Sequence, residues 1–134
     1  MIFFAAKTKL SWVFGIGLLS HFIVYLLSIV FNKVHFSEFL PLMLSALKVY
    51  AIPGAFVFSI KLFEKGNRKV KSSIFWIIFL VSVLWNCILL YDPVLLFFKK
   101  VQVEDVQEYQ RTIAEYSSFL IGGFLSYFFS ASER

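Results

Sequence analysis

Residues Leu10–Phe31 read LSWVFGIGLLSHFIVYLLSIVF and contain no Asp, Glu, Lys or Arg. An α-helix of this length spans about 33 Å, which matches the roughly 30 Å hydrocarbon core of a bilayer. The apolar stretch is too long for a signal peptide, and no small-residue cleavage site follows it. The stretch therefore predicts a membrane-spanning helix.

Three more apolar segments follow, separated by short links that leave no room for a soluble domain. Asp92-Pro93 interrupts the third segment, and an ordinary helix end at Asp92 is the preferred interpretation because proline disfavours a helical residue before it. The fourth is also open to interpretation as an interfacial helix. The sequence predicts one all-α integral membrane domain over residues 1–134. Its four spans are Leu10–Phe31, Phe39–Ile60, Ile74–Tyr91 or Ile74–Phe98, and Ala114–Ala131.

The composition agrees with this class. Of 134 residues, 60% are hydrophobic and 16% are charged, whereas soluble domains average about 45–50% apolar and about 25% charged residues. A small chain has too much surface to hide such an apolar excess. Soluble globular and disordered chains are therefore excluded, and the single cysteine excludes a disulfide scaffold.

The distribution of Lys and Arg predicts the orientation. The positive-inside rule places both termini and the second link in the cytoplasm, because these regions carry most of the basic residues. Orientation and attraction to anionic lipids account for the basic link, so no nucleic-acid partner is expected. The predicted location is a multi-pass position in a bacterial inner membrane. The cytoplasmic basic link comprises Lys65, Arg68, Lys69 and Lys71.

Polar residues inside predicted spans are candidate functional residues, because intramembrane charge costs about 2.5–3.5 kcal/mol on insertion scales. Lys48 lies near the middle of the second span, and we expect it to face other helices and meet a partner. A functional role, as an ion or substrate site or a contact with a partner protein, and a structural role, as a pair that holds two helices together, fit Lys48 about equally well. The helical phases of Lys48, Asn86, Asp92 and Glu115 are compatible with one polar cleft that opens outward. His21 is better explained as a hydrogen-bonded core residue than as a proton relay. The candidates are Lys48, Asp92, His21, Asn86 and Glu115.

The fourth span carries the clearest packing pattern. Small residues recur every fourth position, which lets membrane helices approach closely. The stripe does not reveal whether its partner is a helix of the same chain or a second subunit. An amphipathic pattern from Glu104 onward predicts that this helix begins well before the span. The stripe is Ala114, Ser118, Gly122, Ser126 and Ser130, and the opposite face, predicted to contact lipid, is Phe119, Phe124, Tyr127 and Phe128.

The sequence shows no catalytic constellation, no metal-ligand spacing and no phosphate-binding loop. We therefore expect no enzyme activity, no cofactor and no metal. The expected role is helix-helix contact in the bilayer, as a homo-oligomer or with another membrane protein. The alternative is a small ion or solute transporter, or a channel subunit, with its polar site around Lys48.

In size, span number and charge bias, the chain resembles the four-span immunity proteins against pore-forming colicins and the membrane subunits of phage-defence systems. The resemblance implies an immunity- or defence-type component or a subunit of a larger complex. Small four-span flippases and multidrug transporters share the layout. No residue motif carries any of these resemblances, so they imply no site residues.

Overall fold

The computed structural model describes residues 3–58 and 71–131, and these ranges contain helices but no strand. The all-helical prediction is confirmed. Two helices in these ranges are long and apolar enough to cross a membrane, over Ala5–Val30 and Ser72–Phe97. The helices are α1 (Phe3–Val30), α2 (Phe36–Phe58), α3 (Ser72–Phe97) and α4 (Val103–Ala131).

The four helices pack around a common core in the order α1, α2, α4, α3. Helix α2 lies against α1 and α4, and α3 lies against the same two neighbours. Helices α1 and α3 run parallel, because Phe14 packs near Trp85 and Phe31 near Phe97, with ring centroids 5.9 and 5.8 Å apart. The short links make α2 antiparallel to α1 and α4 antiparallel to α3, so α2 and α4 are also parallel.

The core consists of two apolar clusters. The larger one contains aromatic and aliphatic side chains from all four helices, including Phe14, Val49, Phe75 and Leu125. The smaller one lies nearer the two short links and is built around Tyr25 and its aliphatic neighbours. Polar side chains connect the two clusters, and they form one of the two candidate sites described below.

The two short links, between α1 and α2 and between α3 and α4, begin in the same way. Asn32 and Lys99 have φ values of 52° and 54°. In each link, the N–H of the following residue donates to the carbonyl five positions back, at 2.7 and 2.9 Å. This is the Schellman motif, in which a left-handed residue satisfies the last helical carbonyls. Asparagine tolerates this conformation better than lysine does.

The same links also end alike. The N–H of His35 donates to Glu38 Oε2 at 2.9 Å, and the N–H of Gln102 donates to Asp105 Oδ2 at 2.9 Å. Each carboxylate therefore caps the N-terminus of its own helix from the third helical position, as in a capping box. Together, the four motifs fix α1–α2 and α3–α4 as two helical hairpins.

Helix α3 does not end at Asp92. It continues through Pro93 to Phe97, so the preferred interpretation of the sequence is wrong at this point. Pro93 lacks an N–H and leaves the Leu89 carbonyl without its usual helical donor. The His21 ring approaches the Leu89 backbone from α1, and it can donate to this carbonyl when its single N–H is on the nitrogen that faces α3. Helices in membranes tolerate proline when a neighbouring helix satisfies the freed carbonyl in this way.

Helix α4 begins at Val103, so the predicted extension before the fourth span is confirmed. On the face of α4 that was predicted to contact lipid, Phe119, Phe124 and Tyr127 are exposed, but Phe128 is buried. Phe128 instead packs near Phe75, with ring centroids 6.4 Å apart. Of the basic link, Lys71 is exposed, and Lys65, Arg68 and Lys69 lie outside the described residues.

Candidate functional site

The five polar residues singled out in the sequence do not share one cleft. His21 and Asn86 are buried in the bundle, whereas Lys48 and Glu115 are exposed on its surface. Asp92 is half-buried on α3. The structure therefore contains two separate polar regions, a buried network and a surface groove. Lys48 lies on the outer surface of the bundle, in a groove between α2 and α4 and apart from the buried polar residues, and the partner expected for it stays a prediction.

The buried polar network runs through all four helices. Tyr50 connects His21 and Asn86: its hydroxyl donates to Asn86 Oδ1 at 2.6 Å, and its ring lies edge-on to the imidazole, with centroids 5.5 Å apart. Asn86 Nδ2 donates to the Ser82 carbonyl at 2.8 Å. The network consists of His21, Tyr25, Tyr50, Asn86 and Gln110, all of them buried.

His21 is held by two backbone carbonyls. Its Nδ1 lies 3.0 Å from the Gly17 carbonyl oxygen on its own helix, and the ring also hydrogen-bonds to the Leu89 backbone on α3. A neutral imidazole carries one N–H and can donate to one of these carbonyls at a time. His21 therefore lies between α1 and the part of α3 that precedes Pro93, and its structural role stays a prediction.

Gly17 permits the close approach of α1 to this network. A Cβ at this position would overlap Asn86 Oδ1 and lie 2.6 Å from the Tyr50 hydroxyl oxygen. Gly15, two residues earlier in the same helix, has no atom within 4 Å of the corresponding point. Of these two glycines, packing thus requires only Gly17.

The network continues to α4 through Tyr25 and Gln110. Gln110 Nε2 donates to the Tyr25 hydroxyl, and Gln110 Oε1 is buried without a hydrogen-bond partner in the described part of the chain. Nearby, Trp85 Nε1 donates to Ser117 Oγ at 3.0 Å. Among the described residues, Gln110 Oε1 is thus the exception in a network whose other buried side-chain polar atoms have partners within the bundle.

The second polar region is an open groove of about 820 Å³ between α2 and α4. Both signs of charge line it, and four of its five charged residues follow one stripe of α4. Its walls come from these two helices alone, so the groove lies on the outer surface of the bundle. The α2/α4 groove is lined by Pro41, Leu44, Ser45, Lys48, Glu104, Gln107, Glu108, Arg111, Ala114 and Glu115.

Asp92 lies apart from the groove residues. Its carboxylate is close to Tyr109 of α4, where burial and then the nearby Asp92 charge raise the pKa of the Tyr109 hydroxyl. The protonated hydroxyl donates to the Ile88 carbonyl at 3.1 Å. This hydrogen bond joins the second half of α3 to the second turn of α4, and Asp92 lies half-buried one helical turn further along α3.

The small-residue stripe of α4 faces α2. Ser118 is fully buried and its Oγ donates to the Val49 carbonyl at 3.2 Å. Gly122 is buried, and Ala114 and Ser126 are half-buried; the side chain of Ser130 lies outside the described residues. The stripe thus contacts a helix of the same chain, and Ala114 also reaches the edge of the α2/α4 groove.

Sequence reasoning missed Tyr50, Tyr25 and Gln110. The two tyrosines look like ordinary residues of an apolar span, and Gln110 lies in a segment that the sequence placed outside the fourth span. No pattern in the sequence pairs them. Among the described residues, no group of three or more His, Cys, Asp or Glu side chains could hold a metal ion.

Comparisons of the chain with protein-family models, with curated proteins and with solved structures give no match.

Proposed function

We propose that the protein is a non-enzymatic, multi-pass membrane protein that acts by binding another membrane protein at the α2/α4 groove. The observation that carries this proposal is the position of Lys48, which projects from the middle of α2 to the outside of the bundle. Lipid tails are a poor environment for an ammonium group, and intramembrane charges nearly always face protein or water. A protein partner would cover Lys48 together with the carboxylates beside it.

The apolar surface of the bundle supports a location within the bilayer. Large apolar side chains along α1 and α3 are exposed to the outside, a continuous patch far larger than soluble monomers tolerate. Four spans with both termini in the cytoplasm of a bacterial cell remain the topology that the charge distribution favours. The exposed residues include Trp12, Ile16, Leu19, Ile23, Leu26 and Val30 of α1 and Ile77, Leu80, Leu84 and Ile88 of α3.

The separation of the two polar regions favours a binding role over transport. A transporter would bring Lys48 to the centre of the bundle, where a path could cross the membrane. The centre instead holds the buried polar network, whose groups bind one another, and the charges lie on the surface. An immunity- or defence-type component, or a subunit of a larger complex, would have such a surface.

Site-specific photo-crosslinking in native membranes tests this proposal. A photoreactive amino acid replaces Ser45 in the groove, and the matched control replaces Leu19, an exposed residue of α1. We expect protein adducts from position 45 and lipid adducts from position 19. Lipid adducts alone from both positions would contradict the proposal.

The transport alternative has its own measurement. Purified protein in liposomes is tested for ion flux under an imposed potential, with Lys48→Ala beside the wild type. The proposed function predicts no flux from either. Flux that disappears with Lys48→Ala would replace the binding role with a conduction or transport role.

A further inference from the structure

We propose that the partner covering the α2/α4 groove is a second copy of the same chain, related by a two-fold axis perpendicular to the membrane. This inference rests on the proposed function and names its partner. The argument comes from the order of the charges along the groove.

The charges lie at defined levels because α2 and α4 are parallel. The hydrogen bond from Ser118 Oγ to the Val49 carbonyl sets the register of the two helices. Lys48 is one residue from Val49 and Glu115 is three residues from Ser118, so their α-carbons differ by about 3 Å along the bundle at about 1.5 Å per residue. Lys48 and Glu115 therefore share the level nearest the membrane centre.

The next level repeats this composition. Arg111 and Glu108 lie one helical turn apart on α4, further toward the short links, and both line the groove. Each of the two levels thus carries one cation and one carboxylate. Glu104 is the remaining groove charge, and its place in the first turn of α4 puts it at the end of the groove, where the helix begins and water is available.

Two copies in a membrane can pair their charges across a two-fold interface when each level of the groove carries one cation and one carboxylate. All copies insert with the same orientation, so a residue meets partner residues of the same depth. In a two-fold contact, residue i meets residue j of the second copy and j meets i. Lys48 of each copy would therefore meet Glu115 of the other, and the long Arg111 side chain would reach across the one turn of depth, about 4.5 Å, that separates it from Glu108 of the other copy. A different partner would need its own matching charges at both depths.

The charges are free to make these contacts. In the described part of the chain, Lys48, Glu108, Arg111 and Glu115 form no ion pair within 4.0 Å, although Arg111 stands three and four residues from the two glutamates. The groove also has the right extent for such a contact. It follows α4 from Glu104 to Glu115, about 16 Å at about 1.5 Å per residue, which is three turns of a facing helix.

A charge-exchange experiment tests the pairing across the interface. The full-length protein is labelled with donor or acceptor dyes at Cys87, an exposed position on α3 away from the groove, and energy transfer is measured in liposomes of varying protein density. The variants are Lys48→Glu and Glu115→Lys. Each alone places like charges together in a two-fold dimer, and we expect self-association to weaken by at least about tenfold.

Mixing the two single variants gives the decisive result. In a mixed dimer, the new carboxylate at position 48 of one copy faces the new ammonium group at position 115 of the other, and the unchanged Glu115 faces the unchanged Lys48. We therefore expect donor-labelled Lys48→Glu to associate with acceptor-labelled Glu115→Lys about as tightly as wild-type copies do. A variant that failed to fold would not associate in the mixture, so recovery also shows that both variants are folded.

Three results would overturn the inference. The first is self-association of both single variants at wild-type strength, and the second is loss in the singles without recovery in the mixture. The third is a monomeric wild type. If the dimer is overturned, photo-crosslinks from position 45 to a protein of another mass would still support the proposed function. Lipid adducts alone from position 45 would contradict both the proposed function and the dimer.

Discussion

Substituting Gly17 by alanine tests whether the buried polar network holds the bundle together. A methyl group at this position would overlap Asn86 Oδ1, and it would lie 2.6 Å from the Tyr50 hydroxyl oxygen and 2.7 Å from Asn86 Cγ. None of these atoms is the free end of a flexible side chain, because the Tyr50 hydroxyl and Asn86 bind each other at 2.6 Å. We expect α1 to move away from α2 and α3, or the hydrogen bond to break.

The size of the effect follows from three contributions. Overpacking a close-packed interior costs about 1–3 kcal/mol. Losing an interhelical hydrogen bond in a membrane protein costs about 0.6 kcal/mol on average and up to about 1.7 kcal/mol. Replacing glycine by alanine inside a helix gains at most about 1 kcal/mol. The net expectation for Gly17→Ala is a loss of roughly 1–3 kcal/mol in the free energy of unfolding.

Gly15→Ala is the matched control, because the same substitution two residues earlier meets open space. Unfolding is followed in mixed micelles of rising SDS fraction by tryptophan fluorescence, with Trp12→Phe and Trp76→Phe in every variant so that the signal comes from Trp85, whose ring centroid lies 5.5 Å from that of Tyr50. Gly15→Ala should unfold at or above the wild-type midpoint, and Gly17→Ala well below it. Adding Asn86→Ala to Gly17→Ala removes the overlap and should recover part of the loss. Equal midpoints for the two glycine variants would refute the reasoning.

Three further variants test local features, all by the same unfolding measurement. Lys99→Gly should stabilise the protein by about 0.5–1 kcal/mol, because glycine adopts the left-handed conformation without strain; a lower midpoint would contradict the assigned Schellman motif. Glu38→Ala should destabilise it by about 0.5–1 kcal/mol through loss of the cap on α2, and an unchanged midpoint would show that the cap contributes nothing. His21→Ala should destabilise the wild type more than it destabilises Pro93→Ala, because residue 93 then regains an N–H for the Leu89 carbonyl. Equal losses in both backgrounds would disprove the link between His21 and the proline.

The helical class and the early start of α4 were predictable because they depend on local composition and periodicity. Helix α3 shows the limit of prediction from local sequence. Proline chemistry favours an end at Asp92, yet the helix continues to Phe97, and the side chain that approaches the freed Leu89 carbonyl is a histidine far earlier in the chain, His21. A contact between distant segments leaves no local pattern in a single sequence.

The polar residues show the same limit. Their types and depths marked His21, Asn86, Lys48 and Glu115 as unusual, but depth alone does not say which side of a helix faces the core. Small rotations of each helix decide whether Lys48 points inward or outward, and packing sets those rotations. Tyr50 was missed because a tyrosine in an aromatic-rich span becomes a connector only when its hydroxyl meets a partner on another helix.

The two matched links have a consequence for how the protein assembles. Each link fixes a helical hairpin through hydrogen bonds that are local in sequence, so neither α1–α2 nor α3–α4 needs the other hairpin for its own turn. The buried polar network has members in both: His21, Tyr25 and Tyr50 belong to the first hairpin, and Asn86 and Gln110 to the second. Docking the hairpins one helical turn out of place would leave these groups without partners in an apolar interior. The network therefore favours one alignment of the two hairpins over alignments that are shifted by a turn.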